Sequence, residues 1–163
     1  MAERKRRRAW PAVAAVMLAA LANIFWVNTH PYTPQGAWRL YQGHRAAYDA
    51  VGEALLREGE GRYWAQDSDA FPEGIARELD EVLRAGHWGT GGVWYGEIGI
   101  HNTPAVLFVL FGEEFPSGDG SKAWRYQYLA YIPAAERLDF PNEHTEQAVP
   151  LAEDWYLYTE VML

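Results

Sequence analysis

Residues 93–100 read VWYGEIGI and residues 105–111 read AVLFVLF, and these two stretches decide the fold. The first alternates with a period of two, which is typical of a strand with one buried face. The second is continuously apolar, as expected of a central strand. The turn residues Asn102, Thr103 and Pro104 separate them. We therefore expect two neighbouring strands in the middle of a sheet.

Two more strands follow along the chain. Residues 123–132 (AWRYQYLAYI) alternate Tyr126, Tyr128 and Ala130 with the other side chains, and Pro133 ends the pattern. Residues 155–162 (WYLYTEVM) place Tyr156, Tyr158 and Glu160 on one face. Residues 112–121 and most of 134–153 have turn composition and are expected to be loops, whereas 62–65 resemble a short edge strand.

Helical periodicity precedes the strands. Residues 37–58 carry apolar side chains at intervals near 3.6, and residues 72–85 form a second amphipathic stretch that begins with Pro72. Short connections favour antiparallel neighbours. The expected fold is therefore α+β: an N-terminal transmembrane helix, then two helices packed on a four-stranded antiparallel meander.

The transmembrane helix is predicted over residues 9–27, which read AWPAVAAVMLAALANIFWV and carry no charge. Trp10, Phe25 and Trp26 stand where interfacial anchors are found, and the span would contact the lipid bilayer. Five basic residues lie within residues 1–8, so the positive-inside rule keeps this tail in the cytoplasm. A stalk at 28–36 and an extracytoplasmic domain at 37–163 would follow, in the cell membrane as a single-pass protein. Cleavage after Ala22 is the alternative.

Charge narrows the range of partners. The chain has 14 Lys+Arg and 22 Asp+Glu, of which five and one lie in residues 1–27, so the remainder carries a formal charge of −12. Because nucleic acid is also negatively charged, we do not expect this domain to bind it. The chain has no cysteine, which excludes disulfides and thiolate chemistry.

Catalytic and metal-binding patterns are not found in the sequence. The five histidines are scattered without a metal-binding spacing, and the acidic residues of 112–121 do not match a calcium loop. No serine stands in a nucleophile motif. Gly89–Gly92, GTGG, lacks the residues of a phosphate loop and is interpreted as a flexible link. We therefore predict no catalytic residue, no metal and no cofactor.

Aromatic side chains offer the one candidate binding surface. Tyr126 and Tyr128 share a face of their strand, as do Tyr156 and Tyr158 of theirs. If these strands are neighbours, the four tyrosines line one sheet face and are candidates for ligand binding.

The order of elements, GGVWYGEIGI at 91–100 and the closing Trp155-Tyr156-Leu157-Tyr158 resemble small single-pass extracytoplasmic proteins of Firmicutes. The similarity covers residues 45–160. It implies the anchor and the fold, and it assigns no catalytic residue.

Three functions are compatible with these features. The first is a membrane-anchored extracytoplasmic domain that binds a protein or an envelope component without catalysis. The second is an envelope hydrolase that uses paired carboxylates. The third is an accessory subunit of a membrane complex, with Asn23 as the contact within the span. The ligand and the oligomeric state do not follow from the sequence.

Overall fold

The computed structural model describes residues 13–19, 21–22, 30–58, 61–64, 71–86, 91–98, 103–117, 121–133 and 146–162. The chain divides into two units, residues 1–30 and 31–163. In the first unit, residues 13–19 and 21–22 are helical, and Val13, Val16 and Leu18 are exposed.

The transmembrane helix expected over 9–27 is not found among the residues that the structure describes. A helix that spans a bilayer needs about 20 apolar residues, and no helix within the described ranges is long and apolar enough. The expected fold class is wrong on this point. The predicted anchors Trp10, Phe25 and Trp26, and the predicted contact Asn23, lie outside the described residues.

Two helices replace the one expected over 37–58. Helix α1 (Pro34–Gly43) begins inside the predicted stalk, because the Thr33 side chain accepts a hydrogen bond from the Gly36 amide at 3.1 Å and caps the first turn. Helix α1 ends before His44. The His44 carbonyl accepts hydrogen bonds from backbone amides in the first turn of helix α2 (Arg45–Glu58). Helix α3 (Ala76–Ala85) starts four residues later than Pro72, since the Ile75 amide bonds to the Pro72 carbonyl in a turn.

Within the described part of the chain, the sheet has six antiparallel strands where four were expected. They are β1 (Arg62–Trp64), β2 (Gly92–Ile98), β3 (Thr103–Pro116), β4 (Lys122–Tyr131), β5 (Glu146–Pro150) and β6 (Trp155–Met162). Their spatial order is β1-β2-β3-β4-β6-β5. The first four form a meander, after which the chain skips one position and returns through β5 at the edge to β6.

Tertiary pairing accounts for the differences from the prediction. Strand β5 lies in the expected loop 134–153, and its five residues are ordered by pairing with β6. Strand β3 continues through 112–116 because those residues pair with the start of β4. There the acidic side chains form cross-strand ion pairs, Glu113 with Arg125 at 2.8 Å and Glu114 with Lys122 at 2.7 Å.

The helices pack on one face of the sheet, called here the inner face. The core between them contains Leu55 of α2, Leu79 of α3, Phe108 of β3 and Leu129 of β4. Helix α2 approaches closely at Gly52, where a Cβ atom would lie 2.8 Å from the Tyr131 ring. A glycine that weakens the helix locally is therefore required by the packing.

Trp155 is the centre of this core. The centroid of its ring lies 4.9 Å from the ring centroid of Tyr41, 5.0 Å from that of Tyr131 and 5.6 Å from that of Phe108. Its Nε1 donates a hydrogen bond to Asp49 Oδ1 at 3.0 Å, and the Tyr41 hydroxyl donates to the same oxygen at 3.0 Å. One carboxylate thus links α1, α2 and β6.

We predict a loss of stability at alkaline pH that depends on Tyr41. Burial and the hydrogen bond to Asp49 raise the pKa of Tyr41 to about 12, whereas an unfolded tyrosine ionises near pH 10. Between these values the unfolded state has released a proton that the folded state keeps, so stability falls as pH rises. In urea denaturation measured from pH 8 to 12, the fall in stability between pH 10 and pH 12 should be shallower for Tyr41→Phe, by roughly 1.4 kcal/mol per pH unit.

The same variant should lose about 1 kcal/mol at pH 8, where the hydrogen bond to Asp49 is the only difference. Parallel curves for the two proteins above pH 10 would contradict the prediction.

Candidate functional site

The outer face of the sheet, opposite the helices, carries most of the remaining aromatic side chains. Strand β4 pairs with β6, and Tyr128 stands opposite Tyr158 in the register. The four tyrosines expected to share a face therefore do so, alongside Trp94. Tyr128 and Tyr158 are buried, whereas Tyr126 and Tyr156 are half-buried.

Glycines let the aromatic rings lie close to the sheet. A Cβ atom at Gly92 would come within 2.6 Å of the Trp64 ring, and one at Gly112 within 3.0 Å of the Tyr126 ring. Gly92 and Gly112 are the direct cross-strand partners of these residues. Aromatic side chains that cover cross-strand glycines are a known way to stabilise twisted sheets. Gly92 belongs to the stretch interpreted above as a flexible link, and its role is packing.

The rings border an open cleft of about 330 Å³, called here the aromatic cleft. Its lining consists of Arg62, Trp64, Trp94, Tyr126, Tyr128, Glu160 and Met162. Two of the four candidate tyrosines, Tyr126 and Tyr128, belong to this lining, and Tyr156 and Tyr158 do not. The cleft is therefore displaced toward β1 and β2 from the surface that the sequence suggested.

The rings form a corner instead of a flat platform. Trp94 and Tyr128 are 5.3 Å apart with their planes at 81°, and Trp64 is tilted by 43° against Trp94 at 6.1 Å. Tyr126 continues from Tyr128 at 6.1 Å in a nearly parallel plane. A group that enters the corner would meet aromatic surface on more than one side.

Two tyrosine–glutamate pairs stand at the base of this face. The Tyr128 hydroxyl donates to Glu160 Oε1 at 2.6 Å, and the Tyr158 hydroxyl bonds to Glu146. Burial is the main cause that raises the pKa of both tyrosines well above the usual value, and the neighbouring carboxylates add to it. Both phenols therefore stay protonated as donors at neutral pH, which fixes the position of each carboxylate.

Five lining residues were not among the sequence-based candidates: Arg62, Trp64, Trp94, Glu160 and Met162. The alternation in β2 and β6 assigned Trp94 and Glu160 to defined faces of their strands, so the sequence could have indicated these two residues. It could not have indicated Arg62 and Trp64, because a three-residue edge strand has no measurable period and its neighbour is known only from the sheet order.

Two other clefts contain charged side chains that are already bonded to neighbouring side chains. One of about 340 Å³ lies at the junction of α1, α2 and α3, where His44 contacts Glu81 at 2.9 Å and Arg77 contacts Glu78 at 2.7 Å. The other, of about 200 Å³, surrounds Asp49. In the part of the chain that the structure describes, no group of three or more His, Asp or Glu side chains could hold a metal ion.

Comparisons with protein families, with curated proteins and with solved structures found no match to this chain. The function therefore has to be inferred from the chemistry of the aromatic cleft.

Proposed function

We propose that residues 31–163 form a non-catalytic binding domain whose ligand enters the aromatic cleft. The ligand is a small molecule or a small group that projects from an envelope component. What supports this proposal is the combination of exposed aromatic surface, a concave shape and two charged side chains in one place.

The observation that carries the proposal is where large apolar side chains reach solvent. Among the described residues of 31–163, four such side chains are exposed: Trp38 (37%), Trp64 (37%), Trp124 (41%) and Met162 (48%). Trp64 and Met162 line the cleft, and Trp124 stacks on its Tyr126 at 6.1 Å. Exposed apolar surface that gathers in one patch is typical of binding sites, whereas single exposed residues are ordinary.

The composition of the cleft also fits binding. Ligand sites are mostly apolar and aromatic, with a few polar groups that orient the ligand, and their volumes begin near 300 Å³. The described lining of the cleft has five apolar or aromatic side chains and two charged ones, and Tyr128 holds Glu160 in place. Binding would therefore require little rearrangement, which limits its entropic cost.

The exposed tryptophans provide a matched test. Trp64 and Trp38 are both 37% exposed, and each has one aromatic neighbour in the described part of the domain. Trp64 is in the cleft, whereas Trp38 is on α1. We expect ligand-observed NMR with full-length protein and a mixed library of amines, acids, zwitterions and sugars to detect ligands that Trp64→Ala loses and Trp38→Ala keeps.

The loss for Trp64→Ala should be tenfold or more in Kd, the size expected when an aromatic anchor is truncated. Circular dichroism should show that both variants keep the fold. A library without any ligand that distinguishes the two variants would overturn the proposal.

A second candidate function, hydrolysis of glycosides, is favoured by one observation. Glu146 and Glu160 are direct partners in the β5–β6 register. Directly opposed side chains have Cβ atoms about 4.5–5.5 Å apart, and retaining glycosidases hold two carboxyl groups about 5–5.5 Å apart. Against it, a tyrosine hydroxyl is bonded to each carboxylate. We expect no release of fluorophore from aryl glycosides, and release that Glu146→Gln and Glu160→Gln both abolish would establish this second function instead.

The proposed location is extracytoplasmic. Support comes from the sequence, in which five basic residues precede the apolar run 9–27, an order of residues that is also typical of a secretory signal segment. Protease added to intact cells should therefore degrade residues 31–163 while it spares a cytoplasmic marker. Full protection of the domain until the cells are lysed would contradict this location.

A further inference from the structure

We infer that the aromatic cleft binds a small zwitterion, with a quaternary ammonium group against the rings and an anionic group at Arg62. This inference rests on the proposed function and specifies the chemistry of its ligand.

The aromatic corner is suited to a cation. A cation within about 6 Å of a ring centroid is attracted by the negative face of the ring, most strongly by tryptophan, and cages of such rings recognise quaternary ammonium groups. The cleft supplies Trp64, Trp94, Tyr126 and Tyr128. Trp64 is exposed and Trp94 is half-buried, and their rings are tilted by 43° at 6.1 Å, so one ammonium group could contact both of them, whereas Tyr128 is buried behind Trp94.

Glu160 adds the negative charge that such a cage needs. Its Oε1 accepts the Tyr128 hydroxyl at 2.6 Å, so the carboxylate is held beside the rings. A carboxylate offers about four acceptor positions, and one hydrogen bond leaves it able to interact with a ligand. Burial raises the pKa of the Tyr128 hydroxyl well above its usual value, so the hydroxyl stays a donor at neutral pH and holds the carboxylate in position.

Arg62 makes a bare cation an unsuitable ligand and a zwitterion a suitable one. The guanidinium lines the same cleft, and it forms no ion pair with any described residue. Guanidinium groups bind carboxylates and phosphates in a bidentate manner. A ligand with one positive and one negative group would therefore complement both charges of the cleft.

The sheet order separates the two charges. Arg62 is on β1 and Glu160 is on β6, four strand spacings apart in the sheet, which is about 19 Å in a flat sheet. Both side chains nevertheless reach one cleft, with the aromatic rings on the strands between them. The anion and the cation of the ligand should therefore lie at opposite ends of the molecule with a linker between them, as in phosphocholine.

Sugars fit this lining less well. Each hydroxyl group that loses water on binding needs a hydrogen-bond partner, or the complex loses affinity. Among the residues that the structure describes, none in the cleft lining has an Asn, Gln, Ser, Thr or Asp side chain. Its described polar side-chain groups are two charges, two phenols and two indole N–H groups, and the two opposite charges are the pattern expected for a ligand with two charged groups.

The test compares phosphocholine with two matched probes. In 3,3-dimethylbutyl phosphate a carbon replaces the quaternary nitrogen, so shape is kept and the positive charge is lost. Choline keeps the cation and lacks the phosphate. By isothermal titration calorimetry on the full-length protein, phosphocholine should bind about tenfold more tightly than either probe, which corresponds to about 1.4 kcal/mol.

Two substitutions assign the charges. Glu160→Gln should reduce the preference for phosphocholine over the carbon analogue to about threefold or less, since glutamine still accepts from Tyr128 but has no charge. Arg62→Gln should remove the preference for phosphocholine over choline. Arg57→Gln, an exposed arginine on α2 without an ion pair to a described residue, should change neither preference.

The outcomes separate this inference from the proposed function. Equal binding of phosphocholine and the carbon analogue would overturn the inference. The inference would also be overturned if library ligands that depend on Trp64 bind while phosphocholine does not. In that case the proposed function as a binding domain would still hold. Failure of every ligand would overturn both. If vesicles of phosphatidylcholine compete with phosphocholine, the zwitterion is a lipid headgroup, and if they do not, it is a free solute. Both results support the zwitterion site.

Discussion

The carboxylate of Asp49 is the constraint on which the inner half of the domain depends. It accepts from Tyr41 of α1 and Trp155 of β6 at 3.0 Å each, and from Arg45 at 3.3 Å. A half-buried charge is tolerated only when donors replace its water, so these side chains have one compatible arrangement. Because Trp155 also packs against Tyr131 and Phe108, that arrangement sets how the helices lie on the sheet.

Because the helices pack on the inner face, the arrangement of the outer face depends on the side chains of the strands themselves. It is covered partly by rings that lie over glycines, Trp64 over Gly92 and Tyr126 over Gly112. This packing stabilises the sheet while it keeps ring surface in contact with solvent. The same arrangement that stabilises the sheet therefore creates the cleft, and a substitution that fills a glycine position would change the site without changing any of its charged groups.

The alternation of residue types along the sequence predicted the strand faces correctly wherever a strand was long and its two faces differed in polarity. Alternation in 123–132 and 155–162 placed Tyr126, Tyr128, Tyr156 and Tyr158 on one face, and the β4–β6 pairing confirms it. It failed where neighbours decide the conformation. Strand β5 and the residues 112–116 have turn composition, and they are extended because adjacent strands supply their hydrogen bonds. For the expected transmembrane helix, the described residues contain no helix that is long and apolar enough to span a bilayer, so apolar composition alone did not establish one.

By itself the sequence determined the class of the domain, the identity of its central strands and the side chains that share a face. These properties follow from periods of 3.6 and 2.0, which are local. Only the tertiary structure decided which faces meet. Arg62, Trp94, Tyr128 and Glu160 come from four strands, and no spacing along the chain shows that they line one cleft. Strand order and sheet shape depend on the sum of many long-range contacts, so the candidate site could be seen only once the chain was folded.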